Sequence, residues 1–498
     1  MAFKHYPLGS TITGSVHSVC VSLPAIADIR AYEEKDPQIL RKMKCGYPRF
    51  IIHPFIERLR RATADSEGGV EPWFCASERS ASALLRYAAA GRGTIREMED
   101  CYAVMLPAEP AIGDRARQFL QHTGCGISSR QAEDALVRRK LRRRRYPEKT
   151  QSRTPGRHVR QVMHQSYGTA DPDDILLCRG GMNAFYAGFQ ALRKIQSHRG
   201  RNLWIQFGWL YVDTIRILEK FGDTTATPKP FYNIFDMDAL AAFLKKNGKQ
   251  VAGIVTEVPN NPLVQTCDLG ALHELAHRHG AALVIDPTIA GAGNVRVLPF
   301  ADLHINSLTK YAGIEADTML GTVAFNRESP FYPDLAELVP QYRDLPYRRD
   351  LERLACQISS YPEVLERINQ STPRVVESLE AHPAVDRVWW ALSEPSAENF
   401  HNVANPGGGG GAVITFTLNK PLETFYDQAA FVKGPSFGAR FTMMCPFMYL
   451  AHYDLVTTRA GRAFLESIDL PPELIRFSVG LEPVDAILAE LDRALAPA

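Results

Sequence analysis

Lys310 closes the segment Ala301-Asp302-Leu303-His304-Ile305-Asn306-Ser307-Leu308-Thr309-Lys310, an alternating run that reads as a strand ending in hydroxyls on either side of Leu308. Asp286 stands 24 residues earlier, at the end of the apolar run 281–285. Further upstream, Gly180-Gly181-Met182-Asn183 joins a short apolar run to an amphipathic stretch. An amine can hold and release an aldehyde. A carboxylate at a buried strand end calls for a cationic partner such as a protonated ring nitrogen. Glycine amides at a helix start, with the hydroxyls of Ser307 and Thr309, can bind a phosphate. Pyridoxal phosphate (PLP) needs all three, with Lys310, Asp286 and the Gly181 turn as candidates for its aldehyde, ring nitrogen and phosphate; an exposed strand-end lysine, a cap at Asp286 and an ordinary tight turn are the alternatives.

Such groups need a scaffold that delivers them to one edge. Ile175–Cys178 reads as a strand, and after the glycine turn Ala184, Phe185, Gly188, Phe189, Leu192 and Ile195 recur with helical spacing. A strand over Leu203–Phe207 and a helix over Val212–Phe221 stopped by Gly222 follow. A helix capped by Asp236 or Asp238 then leads to a strand over 251–258, and a helix from Asp268 to Gly280 leads to the strand ending at Asp286. This alternation predicts an α/β fold with a mostly parallel sheet, whose ligands bind outside the carboxyl ends where Gly181, Asn261, Asp286 and Lys310 emerge. Beyond about residue 330, strands over 388–390, 412–418 and 476–479 and a helix from Val484 predict a smaller α/β domain. The expected division is an N-terminal arm over 1–65, a large domain over 66–330 with an insertion at about 110–165, and a C-terminal domain over 331–498.

With 498 residues, 45% hydrophobic and 22% charged, the chain can bury a large core. A net charge of +2 implies no nucleic-acid partner. The basic run 138–145, interrupted only by Leu141, is expected to be a solvated helix face or loop. No run of about 18 apolar residues appears and the first twenty residues lack a signal-peptide pattern, so neither a membrane span nor secretion is expected. Nine scattered cysteines without a CxxC pair suggest reduced thiols and a cytoplasmic location. His273-Glu274-Leu275-Ala276-His277 fits HExxH, which would give a zinc hydrolase with Glu274 as base. Against it, the same helix joins the strands carrying Asn261 and Asp286, and Leu272, Leu275 and Ala276 form its apolar stripe. No metal is therefore expected. The five glycines 407–411 precede a strand, the wrong order for a dinucleotide fingerprint, and read as a flexible loop.

The motifs, in order, resemble the Cys/Met metabolism family of fold-type I PLP enzymes, which includes cystathionine γ-synthase and the cystathionine lyases. Ser307-Leu308-Thr309-Lys310-Tyr311-Ala312-Gly313 is similar to the family's S-x-T-K-Y-x-x-G. The resemblance makes Lys310 the Schiff-base residue and Ser307 and Thr309 phosphate ligands. Glu257-Val258-Pro259-Asn260-Asn261-Pro262 resembles E-x-P-x-N-P, which carries Asn261 to the cofactor ring oxygen and the substrate carboxylate. Asp286-Pro287-Thr288 resembles D-x-T, carrying Asp286 to the ring nitrogen. Gly181-Met182 matches the phosphate-cradling G-M pair, and Arg476-Phe477-Ser478-Val479-Gly480-Leu481-Glu482 resembles R-x-S-V-G-L-E, making Arg476 the fork for the substrate α-carboxylate.

Tyr47-Pro48-Arg49 resembles the Y-x-R whose Tyr and Arg reach a neighbouring subunit's phosphate, which implies a homodimer or homotetramer with shared sites. Tyr211-Val212-Asp213-Thr214 stands where the family has Y-G-G-T, with Tyr211 as the ring-stacking residue, and His53-Pro54-Phe55 stands where it has N-P-T. Ser436, in Gly434-Pro435-Ser436-Phe437-Gly438, falls at the loop near the substrate carboxylate. The length of the region from Pro72 to Asp171 resembles long-form cystathionine γ-synthases. The resemblance therefore implies small amino-acid substrates and γ-replacement, O-acylhomoserine plus cysteine giving cystathionine, with C–S lyase activity as the alternative.

Overall fold

The structure, a computed structural model, describes residues 3–46, 51–64, 69–222 and 226–496. Tyr47 and Arg49 lie outside the described residues. Three sheets organise the described residues. The first is antiparallel, in the order β1 (Val70–Cys75), β3 (Tyr102–Pro107), β2 (Thr94–Glu97). β1 carries Glu71 and Pro72 at its start and β2 is largely exposed, so neither shows the alternation that marks a half-buried strand. The helix Glu78–Ala89 is present, with the Ser77 hydroxyl accepting the Ser80 N–H at 3.2 Å as its N-cap.

The central sheet has seven strands: β4 (Ile175–Cys178), β5 (Leu203–Phe207), β6 (Lys229–Phe231), β7 (Val251–Glu257), β8 (Ala282–Asp286), β9 (Leu303–Ser307) and β10 (Gly321–Phe325). Their order is β4-β10-β9-β8-β7-β5-β6, parallel throughout except for β10, which runs against both its neighbours. Apolar residues fill both faces: Ile205, Ile254, Leu283 and Ile285 on one, Trp204, Val255, Val284, Leu303 and Ile305 on the other. Burial on two sides explains why β7 and β8 read as continuous apolar runs. The helix Gly181–Ser197, starting directly after the glycine turn, crosses the second face.

The third sheet has the order β11 (Val385–Trp389), β12 (Val413–Leu418), β15 (Ile475–Ser478), β14 (Met443–Pro446), β13 (Val432–Lys433). Residues of the N-terminal segment, among them Val21, Leu23, Ile26, Ile29 and Tyr32, share one core with Ile414, Phe416 and Phe477 of this sheet. The Leu23 N–H donates to the Lys433 carbonyl at 3.0 Å.

Of the two forms expected, helix face or loop, the basic run takes the second: it is a largely exposed turn. The helix Ser129–Arg138 stops where Lys140 takes a positive φ of 58°. The arginines then fold back on acids: Arg142 on Glu133 at 2.9 Å and Arg145 on Asp134 at 2.8 Å. No helix among the described residues is long and apolar enough to cross a membrane.

Candidate active site

A cavity opens at the carboxyl ends of the central strands, lined by residues that lie far apart in the chain. β7 and the loop after it supply Glu257 and Asn261, β8 and its loop supply Asp286, Thr288 and Ile289, and β9 with its loop supplies Ser307 and Lys310. Gly181 and Met182 enter from the glycine turn, Tyr211 from the N-cap of the helix Val212–Phe221, and Arg476 and Phe437 from the C-terminal region.

β9 ends at Ser307, three residues before the lysine, because its pairing with β10 ends where Ser307 faces Gly321. Leu308 to Tyr311 form a turn that closes with Tyr311 at φ 57°, so Lys310 enters the cavity from a turn rather than from a strand. Its amine is buried, 5.3 Å from the Phe437 ring centroid. Burial and the nearby Arg476 guanidinium lower its pKa from 10.5 to about 7. Such an amine is neutral in a sizeable fraction of molecules near neutral pH.

Asp286 is held by Thr288, whose backbone N–H donates to Oδ1 at 2.9 Å and whose hydroxyl donates to the same oxygen. That hydroxyl also accepts the Ser307 N–H at 3.0 Å, tying β8 to the start of the lysine turn. Burial raises the Asp286 pKa to about 6, and the Thr288 hydrogen bonds and Lys310 oppose the shift. A carboxylate so placed is stabilised by a cation brought alongside it.

Arg476 sits at the centre of β15, buried between aromatic rings at 5.2 Å from Phe437 and 4.8 Å from Phe447. It reaches Asn261 Oδ1 and the Pro435 carbonyl, each at 3.4 Å, contacts near the long limit for a hydrogen bond. The guanidinium is therefore positioned but under-committed.

Ser307 Oγ, Thr309 Oγ1 and Arg476 Nε are buried with no hydrogen-bond partner among the described residues. Leaving such groups unpaired costs about 1–3 kcal/mol each. Gly181 approaches the same place so closely that a Cβ there would stand 2.9 Å from Ser307 Cβ and 3.2 Å from Ser307 Oγ. The residues present fit PLP: orphaned hydroxyls beside a glycine-led helix N-terminus suit its phosphate, a supported buried carboxylate suits its ring nitrogen, and a buried amine suits its aldehyde.

Lys310, Asp286, Asn261, Gly181, Met182, Ser307, Tyr211 and Arg476 are thus brought together, with Thr309 buried beside them. Ser436 is buried outside the lining, and its neighbour Phe437 faces the cavity instead. Phe437, Ile289 and Glu257 are lining residues to which sequence reading gave no role. Thr288 and Glu257 carried a signal in the D-x-T and E-x-P-x-N-P patterns, whereas an apolar residue such as Phe437 carries none.

The HExxH histidines stand elsewhere, with ring centroids 4.1 Å apart. His273 Nδ1 bonds the Phe300 carbonyl at 2.7 Å, and His277 Nε2 meets both oxygens of Asp302 at 3.0 and 3.1 Å. Asp302 also accepts the Leu283 N–H at 2.7 Å, so the pair fastens its helix to the N-terminal ends of the central strands β8 and β9. No cluster of three or more His, Cys, Asp or Glu suited to a metal ion exists among the described residues.

The chain is similar to known proteins over most of its length. Residues 172–496 match the model of the family described as Cys/Met metabolism PLP-dependent enzyme. The L-2-amino-4-chloropent-4-enoate dechlorinase/desaturase of Streptantibioticus cattleyicolor is 38% identical over 487 residues, covering 97% of this chain and 96% of that protein. The cystathionine γ-synthase of Neurospora crassa is 28% identical, covering 98% of each chain. Among solved structures, cystathionine γ-synthase of Xanthomonas oryzae pv. oryzae aligns with a TM-score of 0.57 at 20% identity, covering 71% of this chain and 88% of that one, a likeness of fold.

Proposed function

Since the chain belongs to the Cys/Met metabolism PLP-dependent enzymes, we propose that it expels a leaving group from the γ-carbon of an L-α-amino acid, with Lys310 moving the protons. The observation that carries this reading is the Lys310 amine itself, buried, lowered to about pKa 7, and sharing one cavity with Asp286 and Arg476.

Bound PLP supplies an electron sink conjugated to the substrate's α-carbon. Asp286, oriented by Thr288, holds the proton on the ring nitrogen. Ser307, Thr309 and the Gly181 turn take the phosphate, with Met182 beside them. Tyr211 would lie against the ring, and in a homo-oligomer the family resemblance would give Tyr47 and Arg49 the phosphate of a neighbouring subunit. Arg476 forks the substrate carboxylate, with Asn261 beside it and Phe437 restricting its approach. Lys310 Nζ takes the proton from Cα, a second proton leaves Cβ, and the γ-substituent departs with its bonding electrons.

Two fates follow. Elimination without replacement is supported by the relative from S. cattleyicolor, whose named substrate carries chlorine on the γ-carbon. Loss of that chlorine with a proton releases HCl and leaves one more unsaturation. Replacement, in which cysteine sulfur adds at Cγ of an O-acylhomoserine to give cystathionine, is supported by the N. crassa relative and the long insertion. The test is a product assay of the PLP-loaded protein with L-2-amino-4-chloropent-4-enoate, O-acetylhomoserine and O-succinylhomoserine, each with and without cysteine, and with cystathionine alone. Chloride release without cysteine is the expected result. Cystathionine formed from an acylhomoserine, with the chloro acid untouched, establishes replacement, and cleavage of cystathionine alone establishes a lyase.

A further inference from the structure

Glu257 is the buried titratable group of the cavity that the steps above leave unused. It ends β7 in register with Asp286 at the end of β8, so two carboxyls stand side by side on adjacent parallel strands. Its Oε1 accepts the backbone N–H of Tyr211 at 2.6 Å, and Tyr211 is the N-cap of the helix Val212–Phe221. Two residues further on, Asp213 Oδ1 meets His122 Nδ1 at 2.8 Å. This turn carries buried Val212 and Asp213, so the start of the helix is gripped from the sheet side by Glu257 and from the insertion side by His122.

We propose that Glu257 is a positioning residue, a second carboxyl of the cofactor cavity that anchors the Tyr211 turn and so holds Tyr211 at the cavity wall. Two neighbouring carboxyls, one of them buried, disfavour a second charge beside the first. Asp286 accepts an N–H and an O–H from Thr288 and faces Lys310, whereas the bond to Glu257 comes from one amide. The charge therefore belongs on Asp286 and the proton on Glu257. Burial and the adjacent Asp286 push Glu257 well above the usual carboxylate range, against the opposing pull of the Tyr211 N–H and Arg476. The helix N-terminus also favours charge on Glu257, but weakly compared with the cost of burying a second carboxylate. A neutral carboxyl still presents its carbonyl oxygen to the Tyr211 N–H, which a glutamine can imitate and an alanine cannot.

The experiment compares the PLP-loaded parent with E257Q and E257A by infrared difference spectroscopy, visible circular dichroism of the bound cofactor, PLP affinity and the separate changes in kcat and KM. The parent is expected to show a protonated-carboxyl stretch at neutral pH that E257Q lacks. E257Q keeps the cofactor dichroism and binds PLP within about twofold of the parent. E257A loses most of that dichroism, binds PLP about tenfold more weakly, and loses kcat more than KM, as expected when one buried amide is left without its acceptor. No protonated-carboxyl stretch in the parent, equal damage in E257Q and E257A, or an E257A indistinguishable from the parent each overturns the proposal. If E257A does not fold, the infrared band and E257Q decide the matter. The proposal rests on the cavity being the cofactor site, and that premise fails separately if the parent itself develops no visible band with PLP.

Discussion

Two regions of the molecule bury charge, and they do so in opposite ways. Around Arg130 every charge is answered: its guanidinium meets Glu148 at 2.7 Å and Asp350 at 3.0 Å, and Arg349 joins Glu133, Asp134 and Glu148. Arg353 closes the group on Asp317 at 2.9 Å. In the cavity Arg476 is almost as buried, but its contacts are long, its Nε has no partner among the described residues, and Ser307 and Thr309 point unpaired hydroxyls nearby. A protein keeps an unsatisfied polar group where a ligand will satisfy it. The saturated cluster is scaffold, fastening the insertion to the helix Arg348–Gln357. The unsaturated one is a site.

Mutations should separate the two clusters. Lys310→Ala should remove the visible band of lysine-bound cofactor and lower turnover by about 10²–10⁴-fold, the contribution of a positioned base, with little change in thermal stability; absorbance, product formation and melting measure it. Arg130→Met should do the reverse. Stripping buried Asp350 of its arginine, and Glu148 of one of its two, should cost about 3–5 kcal/mol of stability, read by denaturant unfolding, while the cofactor band of the folded fraction keeps its position.

Arg476→Lys should raise KM for the amino acid by about 10–100-fold, the loss of a two-pronged charged hydrogen bond, and leave cofactor absorbance intact. Asp286→Asn tests the comparison most finely, because it should weaken PLP binding yet stabilise the apoprotein. The folded pKa of Asp286, about 6, lies above its unfolded value of 3.8, so the folded chain binds the proton more tightly. The parent apoprotein therefore loses stability as pH rises from about 4 to 6. Above that window the Asn variant should be more stable by about 1–3 kcal/mol, and near pH 4 the difference should vanish in melting curves.

The legible parts of the molecule were those with strong local signatures. β5, β7 and β8 announced themselves by apolar runs, and the helix Gly181–Ser197 by its spacing and glycine start. The sheet β1-β3-β2 did not, because Pro72 interrupts one strand and solvent faces another. β13, only two residues long, carries no pattern at all. The end of β9 was misplaced by three residues because alternation continues through Thr309, whereas pairing stops where β10 begins.

By itself, the sequence determined which residues could hold an aldehyde, a ring nitrogen, a phosphate and a carboxylate, since those capacities belong to side-chain types and to their order along alternating strands and helices. Only the tertiary structure decided that Lys310 arrives on a turn, that Phe437 and not Ser436 lines the cavity, and that Glu257 stands beside Asp286. It also decided that the basic run folds back on Glu133 and Asp134 and that HExxH fastens a helix. The physical reason is the same in each case: burial, pairing and pKa depend on neighbours brought from distant parts of the chain, and no local pattern records them.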